Sequence, residues 1–480
     1  MFFPAFGGDK MAQRSANKYK TLLSNTAILG VGTFASKLLV YFLMPLYTAC
    51  LSSDQFGRAD LIAQTANLLI PILSISICDA VFRFTLDGAK DRGEVLSSGL
   101  LILLFGGVVG VPVALVFEGI PYFSGGYGWL IMAYVLASNF HTLCANYLRA
   151  SGKTGIFALQ GICATALTIG FNLLFLLGFS MKVTGYVLSV VLADVAVGIG
   201  LFLFCGLWRS VNFRSVTRAR LGQMLRYSAP LIPTTVFWWI TNVSDRYMVA
   251  WFCGDGVNGL YAAAFKIPTL LILASGIFIE AWHFSAVTEQ GDGQQSRFFS
   301  TVFDSFQAVM FMAGAGLCAF AKVCAVLLFD DSYYTAWQYM PVLLLATVFS
   351  SLVTFMGSVY LVEKKSVNSF YTSLIGALVN LVLNFLLIPI WGAQGAAIAT
   401  FACYLVVFII RAWNTQRYIR FDLHPVKLTV NTLLLGGQCA LMLAEPPLWW
   451  LWQGGIVLAV LVINAGPILR GILQVLRRGR

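Results

Sequence analysis

The chain has 480 residues, 59% of them hydrophobic and only 11% charged, with a mean hydropathy of +0.81. Soluble domains carry about 25% charged residues, and apolar runs of roughly 20 residues recur from end to end, so the composition predicts an all-α polytopic membrane protein and excludes a large soluble domain. The net charge of +11 comes from basic residues between the apolar runs, which indicates membrane orientation rather than nucleic-acid binding.

The apolar runs predict about fourteen transmembrane helices. The first run follows a basic segment and is too long for a signal-peptide core, so we interpret it as a retained helix. The predicted spans are 22–49, 59–82, 95–117, 127–148, 155–179, 183–208, 227–252, 258–282, 298–321, 335–361, 367–388, 393–412, 428–444 and 448–469.

The positions of the basic residues predict the orientation of these spans. With the N-terminus inside, only three of the 31 Lys and Arg residues fall in outside segments, and four lie within spans or at their edges. The three are Arg58, Lys182 and Lys322, and the four are Lys37, Arg226, Arg246 and Lys266. This asymmetry follows the positive-inside rule, and it predicts an even number of spans with both termini cytoplasmic.

The sequence also contains an apparent duplication. NYLRASGK and a following span with Asn172 match VYLVEKKS and a following span with Asn384, and the hairpin around Gly57 matches the one around Gly259. An even-numbered repeat keeps its orientation in the membrane, as in transporters built from parallel repeats. The predicted domains are an N-terminal six-helix bundle at 21–208, a cytoplasmic basic linker at 209–226, a C-terminal six-helix bundle at 227–412 and two extra helices at 428–470.

Several ionisable side chains fall inside the predicted spans. An ionised group at the centre of a membrane helix costs about 2.5–3.5 kcal/mol on insertion scales, so such residues are candidates for function. Asp245 and Arg246 are adjacent and point about 100° apart on a helix, so they cannot simply neutralise each other. Asp79 and Arg83 share a helix face, where an interfacial ion pair and a functional role are both open. His141 is expected to be structural.

The charge balance predicts an anionic substrate. The deeper cations outnumber the deeper acids, and guanidinium and ammonium groups suit phosphate or pyrophosphate. Asp194 and Asp245 are the candidates for a coupling ion, with Asp194 also a possible partner of Lys37. The candidate substrate-binding residues are Lys37, Arg246 and Lys266 in the spans, with Arg83 and Arg149 at the inner mouth.

The segment DRYMVAWFCGDGVNGLYAAAFK resembles a pattern found around helices seven and eight of polysaccharide-export flippases. These proteins belong to the multidrug/oligosaccharidyl-lipid/polysaccharide exporter superfamily. NYLRASGK, the basic N-terminal segment and the Phe56–Gly57 hairpin resemble the same family. The resemblance implies a MATE-like fold and movement of an undecaprenyl-pyrophosphate-linked sugar across a bacterial plasma membrane. Lys37, Arg83 and Lys266 lie on helices that carry cations in lipid II flippases of this superfamily, although two are Lys rather than Arg.

Three functional classes remain open at this point. The first is a flippase for a lipid-linked oligosaccharide or polysaccharide unit, with a lipid II flippase as a variant. The second is a drug or cation exporter of the same fold, which would need an acidic cavity. The third is a membrane enzyme, which the short outside loops and missing catalytic motifs disfavour. We expect a monomeric, non-enzymatic transporter that contacts membrane lipids and binds neither metal nor cofactor, with H⁺ or Na⁺ as the coupling ion.

Overall fold

The computed structural model describes residues 43–87, 92–288, 295–363 and 365–478 of the chain. These residues form two compact units, Thr65–Ile232 and the combination of Met44–Gln64 with Pro233–Arg480. The predicted site residue Lys37 and most of the first predicted span lie outside the described residues. The predicted domain boundaries, including the linker at 209–226, remain predictions.

The described residues fold into seventeen α-helices, numbered here in chain order. They are α1 Met44–Cys50, α2 Ser53–Leu73, α3 Ile77–Leu86, α4 Arg92–Gly119, α5 Tyr127–Ala150, α6 Thr154–Asn172, α7 Lys182–Phe204, α8 Arg218–Ser228, α9 Leu231–Cys253, α10 Asp255–Thr288, α11 Gln295–Ala319, α12 Ala321–Leu328, α13 Met340–Val362, α14 Ser366–Trp391, α15 Ala393–Thr415, α16 Pro425–Ala444 and α17 Trp449–Arg478. Helices satisfy their backbone hydrogen bonds internally, which is what an apolar environment requires.

Eleven of the described helices are long and apolar enough to cross a membrane, and the bent pair α2 and α3 makes a possible twelfth span. The all-helical, many-span fold is therefore confirmed, whereas the count of fourteen remains a prediction. Helix α9 occupies the predicted span 227–252 but is not among the eleven, because polar residues such as Asn242, Asp245 and Arg246 lower its hydropathy.

The predicted span 59–82 is two helices that meet at a sharp angle. Helices α2 and α3 are bent by 53° at the break between them. Pro71 lies near the end of α2, and Ile75 and Ser76 adopt positive φ angles of 52° and 48°. A proline removes a helix hydrogen bond and a left-handed residue ends the helical path, so together they account for the break.

In the first unit, α5 is the central helix and packs against α3, α4 and α7. Its core contains fully buried side chains such as Val81, Val95 and Leu143. The basic segment after α7 is fastened to this unit, because the Thr217 hydroxyl donates to Glu94 Oε1 at 2.7 Å and Arg220 Nε donates to Glu94 Oε2 at 3.3 Å. The segment 209–226 therefore packs against α4.

In the second unit, α13 is the central helix, almost wholly buried and in contact with α10, α11 and α15. Trp282 on α10 donates from its indole nitrogen to the Ser358 hydroxyl at 2.8 Å and stacks on Phe355 at 5.0 Å between ring centroids. A buried tryptophan needs a partner for its N–H, and Ser358 supplies it. This contact fixes α10, which carries Lys266, against the centre of the unit.

Candidate functional site

The candidate site in the second unit begins with a close crossing of α2 and α10. A Cβ atom on Gly259 would lie 1.9 Å from the carbonyl oxygen of Ser53, and one on Gly57 would lie 2.2 Å from the carbonyl oxygen of Asp255. Asn258 reinforces the crossing by donating to the Gly57 carbonyl oxygen at 3.2 Å. Small residues let helix backbones approach this closely, and the approach brings the first turns of α2 beside α10.

Helix α2 starts with a reciprocal cap that holds this end in place. The backbone N–H of Gln55 donates to the Ser52 hydroxyl at 3.3 Å, and the backbone N–H of Ser52 donates to the Gln55 side-chain oxygen at 3.2 Å. This capping box satisfies two amides that the helix itself leaves free. Asp60 lies two turns into α2 and is therefore held in a fixed position.

Asp60 and Arg246 form a buried ion pair. Arg246 Nη1 lies 2.6 Å from both carboxylate oxygens of Asp60, and the two residues are 6% and 3% exposed, respectively. The guanidinium carbon also lies 5.0 Å from the centroid of the Phe265 ring. The predicted substrate cation Arg246 is thus placed against a carboxylate and an aromatic face, and its charge is largely compensated within the protein.

Asp245 has partners of its own, as its direction on the helix predicts. It accepts hydrogen bonds from the Tyr261 hydroxyl at 2.7 Å, from the Thr400 hydroxyl at 3.4 Å and from the backbone N–H of Arg246 at 2.9 Å. Asn380 extends the network, since its amide donates to Thr400 at 3.4 Å. Asp245 is 1% exposed, so this predicted coupling residue lies in a closed, hydrogen-bonded network of α9, α10, α14 and α15.

Lys266 differs from its neighbours because no described residue lies in direct hydrogen-bond or ion-pair contact with it. It is half-buried on α10, close enough to Asp60 and Arg246 for both charges to act on it. Within the part of the chain that the structure describes, Lys266 forms neither a hydrogen bond nor an ion pair. Its ammonium therefore keeps all three donors available for a ligand.

The sequence-based inventory of deep charges missed two residues of the second unit. In the sequence, Asp60 lies at the start of a predicted span and is interpreted as part of the preceding hairpin. It is three residues after Gly57, which places it on the face of α2 that crosses α10. Arg411 reads as a residue of a cytoplasmic segment but is 6% exposed inside α15. The comparison of deep cations with deep acids therefore has to count Asp60 among the acids and Arg411 among the cations.

Asp194 in the first unit is paired with a histidine. Its carboxylate lies 2.8 Å from His141 Nδ1, and it accepts a short hydrogen bond from the Ser138 hydroxyl. The other ring nitrogen of His141 faces the side-chain oxygen of Gln160. His141, expected to be structural, thus lies beside the predicted coupling residue, and a carboxylate next to an imidazole is an arrangement that can exchange a proton.

Arg83 and Arg149 are both exposed and lie in the first unit. Arg83 Nε is 3.2 Å from the carboxylate of Asp87, one turn after it, and the described residues include no ion pair between Arg83 and Asp79. Arg149 lies over the rings of Phe82 and Phe157, at 5.2 and 5.0 Å from their centroids. Contact with Phe82, the neighbour of Arg83, brings both cations to the same end of the unit.

The structure thus brings Arg246, Lys266 and Asp245 together in the second unit and places Arg83, Arg149 and Asp194 in the first. Fold and site together define a polytopic helical membrane protein whose spans carry buried, mostly paired charges. The polysaccharide biosynthesis protein family model matches residues 22–282, more than half of the chain, and the chain belongs to this family. This match confirms the family resemblance that the sequence motifs indicated.

Two curated relatives match most of the chain. One is "Probable low-salt glycan biosynthesis flippase Agl15" of Haloferax volcanii, 20% identical over 362 residues that cover 72% of this chain and 74% of the relative. The other is an uncharacterised membrane protein of Methanocaldococcus jannaschii, 21% identical over 420 residues that cover 83% of this chain and 98% of the relative.

Solved structures confirm the fold. The lipid II flippase MurJ in an inward closed conformation is similar with a TM-score of 0.70 at 13% identity, covering 93% of this chain and all of that one. A multidrug resistance MATE family transporter in an inward-facing conformation gives a TM-score of 0.64 at 15% identity, covering 82% of this chain and 95% of that one. The predicted MATE-like architecture is therefore confirmed.

Proposed function

We propose that this chain is a flippase that moves a lipid-linked oligosaccharide or polysaccharide unit from the inner to the outer leaflet of the plasma membrane by alternating access. It would act as a transporter and not as an enzyme, with both termini cytoplasmic, in a bacterial cell membrane. The family assignment and the name of the Haloferax relative support this class of substrate. The expected linkage between lipid and sugar is an undecaprenyl pyrophosphate. The cations of the site would bind this group.

The observation that carries the proposal is the unpaired ammonium of Lys266 beside a paired arginine. Arg246 is already engaged by Asp60, and Lys266 adds a second positive charge nearby that forms no ion pair with the described residues. A pyrophosphate carries about two negative charges and needs several donors once dehydrated, and charge-assisted bonds contribute roughly 1.5–3 kcal/mol each. Lys266, with Lys37 as a further predicted ligand, would hold that group while the polyprenyl tail stays in lipid.

Arg83 and Arg149 would capture the head group at the cytoplasmic surface. Both are exposed, and the ion pair of Arg83 with Asp87 has side chains that are 57% and 55% exposed. Exposed pairs contribute little, about 0–1 kcal/mol, so Arg83 can exchange its partner for a phosphate at small cost. The guanidinium of Arg149 lies over two phenylalanine rings and forms no ion pair with the described residues, so its N–H groups can bind a phosphate.

Coupling to H⁺ or Na⁺ would act through Asp194 or Asp245. Asp194 has the better arrangement for a proton, because His141 and Ser138 contact its two oxygens and its side chain remains 16% exposed. Asp245 is closed off, and the hydroxyl oxygens of Tyr261 and Thr400 beside its carboxylate suit an ion held by oxygen ligands. The two carboxylates lie in different units, so their roles can be separated by mutation.

A drug or cation exporter of the same fold is the second candidate, because Asp60 and Asp245 are buried acids in the second unit. Reconstitution separates the two candidates. Proteoliposomes are loaded with a fluorescent polyprenyl-pyrophosphate oligosaccharide, and the fraction of label open to an impermeant quencher is followed over time. Faster equilibration than in protein-free vesicles supports the flippase. Transport of a quaternary ammonium dye without any effect on the glycolipid would favour the exporter instead.

A further inference from the structure

A cavity with a mostly apolar lining lies inside the second unit and does not include the Asp60–Arg246 pair. Its volume is about 430 Å³, and side chains of α9, α10, α13, α14 and α15 line it. Small-molecule sites usually measure about 300–1,000 Å³. Hydroxyl, amide and aromatic groups are interspersed in this lining, at Trp238, Thr241, Asn242, Ser350, Ser373 and Tyr404.

One wall of the cavity is formed by Arg411, which is 6% exposed. Its Nε donates to the Thr372 hydroxyl at 2.9 Å, Nη1 to the Val353 carbonyl oxygen at 2.9 Å, and Nη2 to the Ser373 hydroxyl at 3.2 Å. A weaker bond joins Nη2 to the carbonyl oxygen of Ser369 at 3.5 Å. A guanidinium has five N–H donors, so these four bonds leave one donor on Nη1 available.

All four of these acceptors are uncharged. Among the described residues Arg411 has no carboxylate partner, although the other buried arginine of the same unit, Arg246, is held by Asp60 at 2.6 Å. Buried charges are normally paired, because removing an ion from water is costly. The hydrogen bonds fix the direction of the Arg411 fork while its positive charge stays uncompensated.

The cavity stays open beside the free donor. Gly357 lines the wall, and a Cβ atom at that position would lie 3.0 Å from Arg411 Nη1. His283 and Asn242 also face the cavity, so further groups that bind oxygen atoms are present around it. A fixed guanidinium surrounded by hydroxyls and aromatic rings is suited to an oxyanion attached to a sugar.

We propose that this cavity is a second anion-binding site, in which Arg411 binds an oxyanion of the transported molecule. The oxyanion is either the carboxylate of an acidic sugar or a phosphate oxygen of the lipid linkage. The assignment rests on the proposed function and deepens it, since it gives the head group a binding position away from Lys266. A purely structural Arg411, which only ties α15 to α13 and α14, is the competing explanation.

Binding of small probes to the purified full chain tests this site without requiring transport. Calorimetric titrations in detergent use methyl glucuronide, inorganic pyrophosphate and the uncharged methyl glucoside. We expect at least one anionic probe to bind the wild type about tenfold or more tightly than the glucoside. Binding of the glucuronide identifies the acidic sugar as the ligand, and binding of pyrophosphate identifies the linkage. Equal affinity for all three probes, or no binding of either anion, overturns the proposal.

Variants of Arg411 separate binding from structure. R411Q should weaken the anionic probe about tenfold or more, and R411K should recover part of the loss because it keeps the charge without the fork. R417Q is the matched control, since Arg417 is exposed beyond the end of α15 and rests on Trp413. Unchanged affinity in R411Q overturns the site.

If R411Q does not fold, R411K still decides the question, because it keeps the charge and changes only the fork. The experiment also distinguishes failure of the Arg411 site from failure of the flippase proposal. Glycolipid flipping by a protein that binds no anionic probe would reject only the Arg411 site. Probe binding by a protein that does not flip the glycolipid would reject only the transport function.

Discussion

Arg246 Nη1 lies 2.6 Å from both carboxylate oxygens of Asp60, and this contact joins α9 to the start of α2 within the second unit. The pair explains how an arginine can be nearly fully buried in an apolar helix bundle. Arg246 is thus a cation of the site that a carboxylate already binds, whereas Lys266 forms no ion pair with the described residues.

Removing either partner of the pair should destabilise the protein strongly. D60N and R246Q each leave one buried charge alone, which costs about 3–5 kcal/mol, whereas the double variant removes both charges and should lose less than the sum. The measurement is the apparent unfolding temperature in detergent. The matched control is R58Q on α2. Arg58 Nε lies 3.6 Å from the carboxylate of Asp255, and because this ion pair is partly exposed it contributes only about 0–1 kcal/mol. Additive losses in the double variant would show that the two side chains do not interact.

The Gly259 crossing should not tolerate a side chain. G259A places a Cβ 1.9 Å from the Ser53 carbonyl oxygen, so the backbones of α2 and α10 must separate, and we expect a loss of about 1–3 kcal/mol or more. G276A on the same helix is the control, because its new Cβ would meet none of the described residues packed around the helix. It should be neutral or stabilising by about 0.5–1 kcal/mol. Equal unfolding temperatures for the two variants would contradict the crossing.

The sequence predicted the class of the fold because hydrophobicity over about 20 residues and the placement of Lys and Arg are strong local signals. It also paired Gly57 with Gly259 as repeated positions, though not as residues in contact. The partners of the charges could not be predicted, since Asp60 and Arg246 are 186 residues apart and meet only through tertiary packing. Arg411 was missed because four residues separate it from the end of α15, where a basic residue usually reaches water.

Asp194 should control coupling. D194N removes the carboxylate that His141 and Ser138 contact, so transport should lose its dependence on the H⁺ or Na⁺ gradient while substrate binding is kept. The measurement is flipping in proteoliposomes with and without an imposed gradient of each ion. D331N, an exposed acid of the second unit, is the control and should respond to the gradient as the wild type does. If D194N still follows the gradient and D245N does not, the coupling site is Asp245.

Flipping by a charge series at Lys266 tests the central claim most directly. Lys266→Arg, Lys266→Gln and Lys266→Ala are reconstituted at equal density, and the rate at which polyprenyl-pyrophosphate oligosaccharide reaches the opposite leaflet is measured for each. Because the unpaired ammonium is proposed to bind pyrophosphate, we expect Arg to retain much of the rate and Gln and Ala to lose at least about tenfold. The same series at Lys37 should behave alike. Wild-type rates for the Gln variants at both lysines would contradict the account, because the charges would then have no role in moving an anionic substrate.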